Sequence, residues 1–407
     1  MYVLVVTYGY PSQKYQLGIF EFDQAKALHT AGYKVIFAAV DLRSIRRWRK
    51  WGLEHLFKDG IEIYAINIPL GRVPRKVLKF FGERGIKNLY KKIKKDHGEP
   101  DIIHAHFLGM GEIALALREM TESSKFVLTE HSSALIQNTY DMPSWVKASA
   151  VSIYLKYDKV IAVSETLADK INSDFNANAI CIPNMYDDKI FYFKQDKVPI
   201  SRFQFVFVGN LIKSKSPVSC IESFYNAFKG EDFLTPKGGK ICLSVIGDGP
   251  EREACIKTIE KLGIKDTVKL WGRLQRAQIV EIMNESRCFV LPSKYETFGV
   301  VYIEAMACGL PVIATRCGGP ESFVDETNGI LIPVEHEPAL VSAFRYMLEN
   351  AENYDSEKIS YNTIERFSPA NILKMVVDVY EDLMNNKDKK EINLIEFYFQ
   401  NSLRCLK

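Results

Sequence analysis

The sequence predicts an α/β protein of two domains, each built on a parallel β-sheet with helices on both faces. Strand and helix signals alternate along the chain twice over, which is the pattern of parallel sheets. The chain has 407 residues, more than the roughly 250 to 300 at which a single hydrophobic core usually stops growing. Residues 184–201 are polar, contain prolines and lack periodicity, which predicts a linker. We therefore expect one domain over residues 1–192 and a second over residues 193–368.

The composition is that of an ordinary globular protein. Hydrophobic residues make up 47% of the chain and charged residues 25%, which suits two buried cores and argues against disorder. No apolar run reaches the roughly 18 residues of a membrane span, and the first residues read as a strand rather than a signal peptide. The eight cysteines form no C-x-x-C pair and several lie in apolar runs, which indicates reduced, buried thiols. These features together favour a cytoplasmic protein.

The predicted strands fall into two sets, one in each half of the chain. In the first half they begin near Tyr2, Lys34, Asp101, Lys125, Lys159 and Ala179. In the second half they begin near Phe203, Lys240, Thr267, Cys288, Pro311 and Gly329. Open α/β sheets bind ligands outside the carboxyl ends of their strands, so the loops that follow these strands are the places to look for chemistry.

Two of these loops in the first half carry candidate residues. The loop after the first strand leads into a helix that opens at Gly18, where a glycine allows close approach of the backbone, although a plain turn glycine has the same appearance. His104 and His106 share one face of a strand end, and His131 follows the next strand. Three histidines could indicate zinc, but no cysteine or carboxylate completes an evident set of ligands. We therefore expect no metal.

The first strand of the second half, residues 203–208, runs into a loop that carries two lysines. The loop begins with Gly209 and Asn210 and contains Lys213 and Lys215. An ammonium group is a compact counter-charge for a diphosphate, which makes this loop a candidate phosphate site. A solvated lysine loop is the alternative interpretation.

A Gly-x-Gly turn, from Gly247 to Gly249, follows the next strand of this half. Glycines at such a turn let the backbone come close to a ligand. The third spaced glycine of the dinucleotide-binding fingerprint is missing, which argues against a dehydrogenase.

Glu296 and Glu304, eight positions apart, flank the start of a helix predicted over residues 300–308. The amides of Phe298 and Gly299 would lie at the helix N-terminus, a position that favours a phosphate. Apolar neighbours on nearly all sides indicate that Glu304 is buried, and a buried carboxylate needs a partner such as a sugar hydroxyl. The alternative interpretation, which is the ordinary one for an isolated pair of glutamates, is that Glu296 is a turn residue and Glu304 a solvated helix position.

With these motifs the sequence resembles, over most of the chain, the retaining glycosyltransferases of family 4. That family has the GT-B fold, in which two Rossmann-like domains with parallel sheets face each other across a deep cleft. Its motif is a glutamate, seven residues and a second glutamate, often with Phe-Gly after the first; the matching residues here are Glu296, Phe298, Gly299 and Glu304. The resemblance implies that Glu296 lies near the donor sugar and that Glu304 binds the ribose hydroxyls. It also implies that the amides from Phe298 to Val300 lie near the diphosphate.

The resemblance assigns the first-half residues as well. It implies that His131 lies beside the transferred sugar, with His106 in a supporting place in the acceptor cleft and His104 in packing. Gly18 would face the donor phosphates and the acceptor. A C-terminal segment, about residues 369–407, would pack its helix back onto the first domain.

In the second half the family usually has Gly-Arg-Leu, followed four residues later by a lysine. Gly209 and Lys215 fit this pattern, but Asn210 replaces the arginine. An amide supplies no charge, so Lys215 would carry more of the phosphate neutralisation. The segment ending in Arg273 and Leu274 is similar to the one whose backbone meets the nucleobase, and Gly247 and Gly249 would complete the donor site.

The chemistry implied is metal-independent transfer with retention of anomeric configuration. No Asp-x-Asp pair is present to hold a divalent metal on the diphosphate. Lys215, the helix dipole and loop amides would stabilise the departing nucleoside diphosphate electrostatically. Retention of anomeric configuration in this family is generally explained by a same-face, dissociative displacement, which needs no protein nucleophile. A double displacement through Glu296 is the competing mechanism.

Residues 43–95 carry the positive charge of the chain. They contain 16 lysines and arginines against four acidic residues, a net charge of +12 in a chain of +3. Apolar residues interrupt the charges: Trp48, Trp51, Leu56, Phe57, Val77, Leu78, Phe80, Phe81, Ile86 and Leu89. Such a basic, aromatic and amphipathic segment suits an anionic membrane surface, with a helix packing its apolar side on the core as the alternative. Nucleic acid is not favoured, because no recognised binding motif accompanies the charges.

The sequence thus predicts an enzyme, peripheral on the inner face of the cell membrane, that acts in polysaccharide biosynthesis. It would transfer a hexose-type sugar from a nucleoside diphosphate sugar, with UDP favoured, to a lipid-linked saccharide or another cell-surface glycan precursor. Two alternatives remain open at this point. One is a non-catalytic subunit that binds nucleotide sugar or glycan, suggested by Asn210; the other is a nucleotide-sugar epimerase of the same fold.

Overall fold

Two β-sheets flanked by helices organise the chain in the computed structural model, which describes residues 1–12, 17–47, 49–133, 135, 143–194 and 202–385. The strands of the first sheet are β1 (Tyr2–Thr7), β2 (Lys34–Asp41), β3 (Gly52–Lys58), β4 (Ile61–Asn67), β5 (Ile102–His106), β6 (Lys125–Glu130), β7 (Lys159–Ala162) and β8 (Ala179–Cys181). Their order in space is β3-β4-β2-β1-β5-β6-β7-β8. All neighbours run parallel except β3 and β4, which form an antiparallel hairpin at one edge.

The helices of this half connect the parallel strands and cover the sheet. They are α1 (Ile19–Thr30), α2 (Arg75–His97), α3 (Leu108–Ala114), α4 (Ser144–Tyr154) and α5 (Glu165–Phe175). With helices on both faces, β1 and β5 are buried along their whole length. This burial explains why both strands read as continuous apolar runs interrupted only where a polar side chain has a partner.

The hairpin of β3 and β4 lies outside the predicted set of strands and makes the first sheet mixed rather than purely parallel. Both strands fall within the basic segment 43–95. Along β3 the exposed positions include Leu53 and Phe57, whereas the half-buried positions include Glu54 and Lys58. At these positions the usual alternation, with apolar side chains inside and polar side chains outside, is reversed. The hydrophobic periodicity of the sequence therefore does not predict β3 as a strand.

The second sheet is entirely parallel. Its strands are β9 (Arg202–Val208), β10 (Lys240–Ile246), β11 (Val268–Gly272), β12 (Cys288–Leu291), β13 (Val312–Thr315) and β14 (Gly329–Ile332), in the spatial order β11-β10-β9-β12-β13-β14. Its helices are α6 (Pro217–Phe228), α7 (Arg252–Leu262), α8 (Arg276–Asn284), α9 (Val300–Ala307), α10 (Glu337–Asn350) and α11 (Ser356–Phe367). Every predicted strand of both halves begins within one residue of its predicted start.

A last helix, α12 (residues 369–385), leaves the second sheet and packs on the first. Its buried side chains Ile372, Val376 and Tyr380 join a core cluster that also contains Val3 of β1 and Phe22 of α1. The first sheet is therefore completed by residues from the far end of the chain. The predicted tail beyond residue 385 lies outside the described residues.

Two further expectations concern membrane spans and cysteines. In the described part of the chain, no helix combines the length and the apolar character that crossing a bilayer requires. The cysteines described there form no disulfide; Cys181 and Cys242 are half-buried, and the others are buried. Burial raises the pKa of the Cys220, Cys255, Cys288 and Cys317 thiols, that of Cys255 to about 11, so these thiols are protonated at neutral pH.

Candidate functional site

Three loops at the carboxyl ends of β9, β10 and β11 pack against one another through their backbones. The amide of Gly247 donates to the carbonyl of Gly272 at 2.9 Å. A Cβ on Gly247, which has φ +143°, would lie 1.8 Å from the carbonyl oxygen of Gly209. A Cβ on Gly249 would lie 2.4 Å from that of Leu211. The Gly-x-Gly turn is therefore required for the loops to approach one another.

The loop after β9 also meets the loop after β12, and the contact pairs two predicted site residues. The amide of Lys294 donates to the carbonyl of Ser214 at 2.7 Å, which fixes the two loops together. Lys215, at the end of a short 3₁₀ helix, forms an ion pair with the Glu296 carboxylate. The hydroxyl of Ser293 donates to the same carboxylate oxygen at 2.9 Å. Glu296 is thus held in place from two sides, and sequence reasoning did not single out Ser293.

The N-terminus of α9 is open next to this ion pair. Gly299 caps the helix in the left-handed region with φ +93°, where a Cβ would lie 2.6 Å from the ring of Tyr302. The amides of Phe298, Gly299 and Val300 donate to no acceptor within the described residues. Free amides at a helix N-terminus, beside a lysine, form a cradle for an anion.

Glu304 lies one turn inside α9 and is buried, as predicted from its apolar neighbours. Its nearest cation is Arg276, the first residue of α8, with Nη2 3.6 Å from Oε1. Burial raises the pKa of Glu304 to about 7, and the positive charge of Arg276 opposes that rise. Arg276 carries no signal in the sequence beyond its place in a helix start, so it is missing from the predicted site.

His131 lies across the cleft from these residues, at the end of β6. The preceding carboxylate, Glu130, is fully buried and accepts hydrogen bonds from the amides of His131 at 2.9 Å, Ser132 at 2.8 Å and Leu108 at 2.8 Å. Tyr154 donates a fourth bond from its hydroxyl at 3.3 Å. Glu130 therefore fixes the loop that carries His131. The signal for it in the sequence was a carboxylate at the end of an otherwise apolar strand.

The three histidines form a chain of contacts rather than a set of metal ligands. His131 Nε2 lies 3.0 Å from His106 Nδ1, so one imidazole donates to the other. His104 is bound on both sides, with Nδ1 2.6 Å from the Tyr380 hydroxyl and Nε2 2.7 Å from that of Thr129. Burial lowers the pKa of His131 to about 4 and that of His104 to about 3, so both are neutral at pH 7. No group of three potential ligands in the described ranges is arranged to hold a metal ion.

The two halves of the cleft touch at the site itself. The hydroxyl of Thr297 donates to the backbone carbonyl of His131 at 3.0 Å. Arg276 Nη1 lies 2.8 Å from the Asp23 carboxylate of α1. These contacts bring the loop of Glu296 and the N-terminus of α9 opposite the histidine loop.

The remaining predicted residues are placed around this centre. Gly18 caps α1 with φ +73°, and a Cβ there would lie 2.3 Å from the carbonyl oxygen of Gly9. Asn210 and Arg273 are exposed, and their side chains have no partner among the residues described. Leu274 packs partly against the core of the second sheet. The structure thus joins Lys215 and Glu296 directly.

Two family models match the chain, one for each sheet. The model "Glycosyltransferase Family 4" matches residues 21–189, and "Glycosyl transferases group 1" matches residues 188–366. The chain belongs to the group 1 glycosyltransferases. Its two facing parallel-sheet domains are the GT-B fold of that family.

Individual relatives agree with the family. This glycosyltransferase is 28% identical to an uncharacterised glycosyltransferase of Methanocaldococcus jannaschii, over 70% of its own chain and 76% of the relative. Among solved structures, sucrose-phosphate synthase of Thermosynechococcus elongatus has a TM-score of 0.74 at 19% identity and covers 95% of this chain and 100% of its own. The Anabaena protein HepE in complex with UDP has a TM-score of 0.69 at 18% identity, over 94% of this chain and all of its own. At these identities the solved structures establish the shared fold.

Proposed function

We propose that this enzyme transfers a hexose-type sugar from a nucleoside diphosphate sugar, with UDP as the nucleotide, and retains the anomeric configuration. The observation that carries the proposal is the Lys215–Glu296 pair beside the open N-terminus of α9. A lysine and free amides suit a diphosphate, and the buried Glu304 suits ribose hydroxyls. The UDP bound by the structurally similar HepE supports the choice of nucleotide.

The proposed chemistry is electrostatic. As the bond between the anomeric carbon and the phosphate oxygen breaks, negative charge develops on the diphosphate. Lys215 and the amides of Phe298, Gly299 and Val300 would stabilise that charge. The acceptor hydroxyl would attack from the same face and pass its proton to the departing phosphate, so no protein nucleophile is needed. Because cations and amides of the chain provide the counter-charge, we propose that the reaction is independent of divalent metals.

The acceptor is proposed to be a lipid-linked saccharide or another cell-surface glycan precursor, and the support for it is an exposed surface on the first sheet. One face of the edge strand β3, together with the residue just before the strand, exposes three apolar side chains. They are Trp51, Leu53 and Phe57, with exposed fractions of 74%, 58% and 68%. Aromatic residues exposed to this degree on a strand edge are a feature of surfaces that contact a partner or a membrane.

This apolar strip is continuous with the basic helix α2. His55, on the same face of β3, stacks on Tyr64 with ring centroids 4.3 Å apart, and Lys92 Nζ lies 5.9 Å from the Tyr64 ring. Arg84, Lys91 and Lys95 are exposed on the same helix. By contrast the apolar side chains of α2 itself, such as Ile86 and Leu89, are buried in the core. We define the edge surface as the strip Trp51, Leu53 and Phe57 with the basic side chains Arg84, Lys91, Lys92 and Lys95.

We propose that the edge surface binds an anionic membrane, which would place the enzyme peripherally on the inner face of the cell membrane. Aromatic side chains enter the interface while lysines and arginines meet anionic headgroups. Trp48, another residue of the predicted basic segment, lies outside the described residues.

The donor assignment is tested with a panel of UDP-, GDP- and ADP-sugars in the presence of EDTA. Release of one nucleoside diphosphate by the wild type, with an acceptor extract of membrane glycolipids, identifies the donor. Glu304→Ala removes the carboxylate that would accept from the ribose, so we expect nucleotide affinity to fall by about 10- to 100-fold, the worth of charged hydrogen bonds. Retained affinity in this variant would refute the ribose assignment, and a requirement for added metal would refute metal independence.

The same assay separates the two alternatives left by the sequence. Asn210, exposed where the family has arginine, favours a non-catalytic subunit, and tight binding without any release of nucleotide would support that reading. An epimerase would convert the donor sugar in the absence of acceptor. Acceptor-dependent release of nucleotide supports the transferase.

A further inference from the structure

A cluster of buried charges joins the two domains behind the candidate donor site. Arg276 Nη1 lies 2.8 Å from the Asp23 carboxylate of α1 and 3.8 Å from that of Asp187. Its other terminal nitrogen, Nη2, lies 3.6 Å from Glu304. Lys26 Nζ lies 3.6 Å from Asp187 and is the second cation of the cluster. The guanidinium of Arg276 thus faces the first domain with Nη1 and faces Glu304, the candidate ligand of the ribose, with Nη2.

The charges of this cluster are largely removed from water. The side chains of Arg276, Asp23 and Glu304 have exposed fractions of 18%, 12% and 10%. Buried charges of this kind are costly unless they are paired, and removing one partner leaves the others uncompensated. The arrangement therefore ties the state of Glu304 to the position of α1.

The start of α8, which carries Arg276, is itself held in a fixed conformation. It is the first residue of α8, and Gln275 before it forms a reciprocal capping box with Gln278. The guanidinium therefore projects from a fixed helix start rather than from a loop. Neither Asp23 nor Arg276 belongs to the glutamate motif, the lysine loop or the glycine turns.

We propose that Arg276 is a positioning residue that holds Glu304 for the nucleotide and, through Asp23, latches the donor domain to α1 when the cleft is closed. The proposal rests on the proposed function, because it takes Glu304 as the ligand of the ribose. Binding of the nucleotide and closure of the cleft are then coupled through one side chain. Opening of the cleft separates Asp23 from Arg276 and leaves both charges without this partner.

The coupling predicts that nucleotide affinity depends on pH. The pKa of Glu304 is raised to about 7 by burial, opposed by Arg276 and reinforced by the negative charges of Asp23 and Asp187. The carboxylate accepts from hydroxyls best when ionised, so nucleotide affinity rises with pH through about 7 and then levels off. Loss of Arg276 removes the opposing effect and moves the rise to higher pH. Loss of the Asp23 charge moves it in the other direction.

The test is calorimetric titration of the full chain with UDP, GDP and ADP across the pH range, for the wild type and four variants. Arg276→Gln should lower affinity at pH 7 by about 5- to 100-fold, the usual range of coupling between sites, and recover as pH rises. Arg276→Lys should restore part of both effects. Glu304→Gln should bind weakly and lack the rise near pH 7 that belongs to the Glu304 carboxylate. Lys261→Gln, which changes an exposed lysine of α7, is the matched control with wild-type behaviour.

Asp23→Asn separates the latch from simple support of Glu304. We expect it to lower the rate of transfer, because closure loses its partner, and to move the rise of nucleotide affinity to lower pH, opposite to the change in Arg276→Gln. Wild-type affinity and pH profile in Arg276→Gln, with Glu304→Gln impaired, would overturn the inference and leave the proposed function intact. Wild-type affinity in Glu304→Gln would instead overturn the ribose assignment. Thermal unfolding of each variant confirms that it is folded.

Discussion

Lys215 is the residue on which the proposed chemistry depends most. Its ammonium group pairs with Glu296 and, within the described residues, with no other side chain, which leaves N–H groups for a ligand. The family's usual arginine is absent at Asn210, whose amide carries no charge. Charge neutralisation at the diphosphate would therefore fall on Lys215 and on the amides at the start of α9.

Lys215→Ala should reduce transfer by about 100- to 1,000-fold, the effect of removing one preorganised stabilising group from a transition state. Arginine keeps the positive charge but spreads it over a planar guanidinium in place of a compact ammonium group, so Lys215→Arg should recover only part of the rate. The measurement is acceptor-dependent release of nucleoside diphosphate. Lys213→Ala, which changes an exposed lysine of the same 3₁₀ helix, is the control. Turnover at the wild-type rate in Lys215→Ala would move the phosphate site elsewhere.

Whether a site residue can be predicted from the sequence depends on whether local or long-range contacts determine its position. Glu296 and Glu304 are readable because a strand, a turn and a helix of eight residues fix their relation locally. Arg276 is not, because its role arises from a contact with Asp23, a residue far away in sequence. No local pattern encodes such pairs.

Among the elements, α12 shows how the first sheet depends on the end of the chain. The Tyr380 hydroxyl lies 2.6 Å from His104 Nδ1, and the two residues are 276 positions apart. Both side chains are fully buried. This bond fixes the position of α12 on β5, the strand that leads to His106 and to the cleft.

Tyr380→Phe should destabilise the docking of α12 by about 1–3 kcal/mol, because it leaves a buried imidazole nitrogen without its partner. The expected results are faster hydrogen exchange of the amides in residues 369–385 and a lower midpoint of thermal unfolding. Tyr361→Phe on α11 is the control, since that side chain is largely exposed. Unchanged exchange in α12 would mean that apolar packing alone holds the helix.

The strands show what periodicity can and cannot predict. A parallel strand buried on both faces gives a short apolar run, and the twelve strands predicted from such runs begin within one residue of their predicted starts. Strand β3 was not predicted because Leu53 and Phe57 point outward. Strand β4 was also missed, although it is largely buried and pairs in parallel with β2. A strand whose outer face is apolar does not follow the pattern of a single folded domain, and that departure is itself a reason to expect a partner for this edge.

At the scale of the whole molecule, charge divides the protein into two unequal parts. Residues 43–95 carry a net charge of +12 in a chain of +3, so the rest of the protein is strongly acidic. This polarity would orient the first domain toward an anionic surface before any contact forms.

The edge surface gives the last prediction, which separates its two components. Replacing Arg84, Lys91 and Lys92 by glutamine should weaken binding to vesicles that contain phosphatidylglycerol by about 100-fold, from roughly 1 kcal/mol for each basic residue near the surface. This loss should disappear in high salt, where screening already removes the attraction. Replacing Trp51, Leu53 and Phe57 by serine should instead reduce the binding that survives high salt, because insertion of apolar side chains does not depend on charge. The control replaces three exposed lysines of the second domain, Lys237, Lys240 and Lys261, by glutamine. Equal binding by the control and the first variant would show that overall charge, rather than this surface, governs attraction to the membrane.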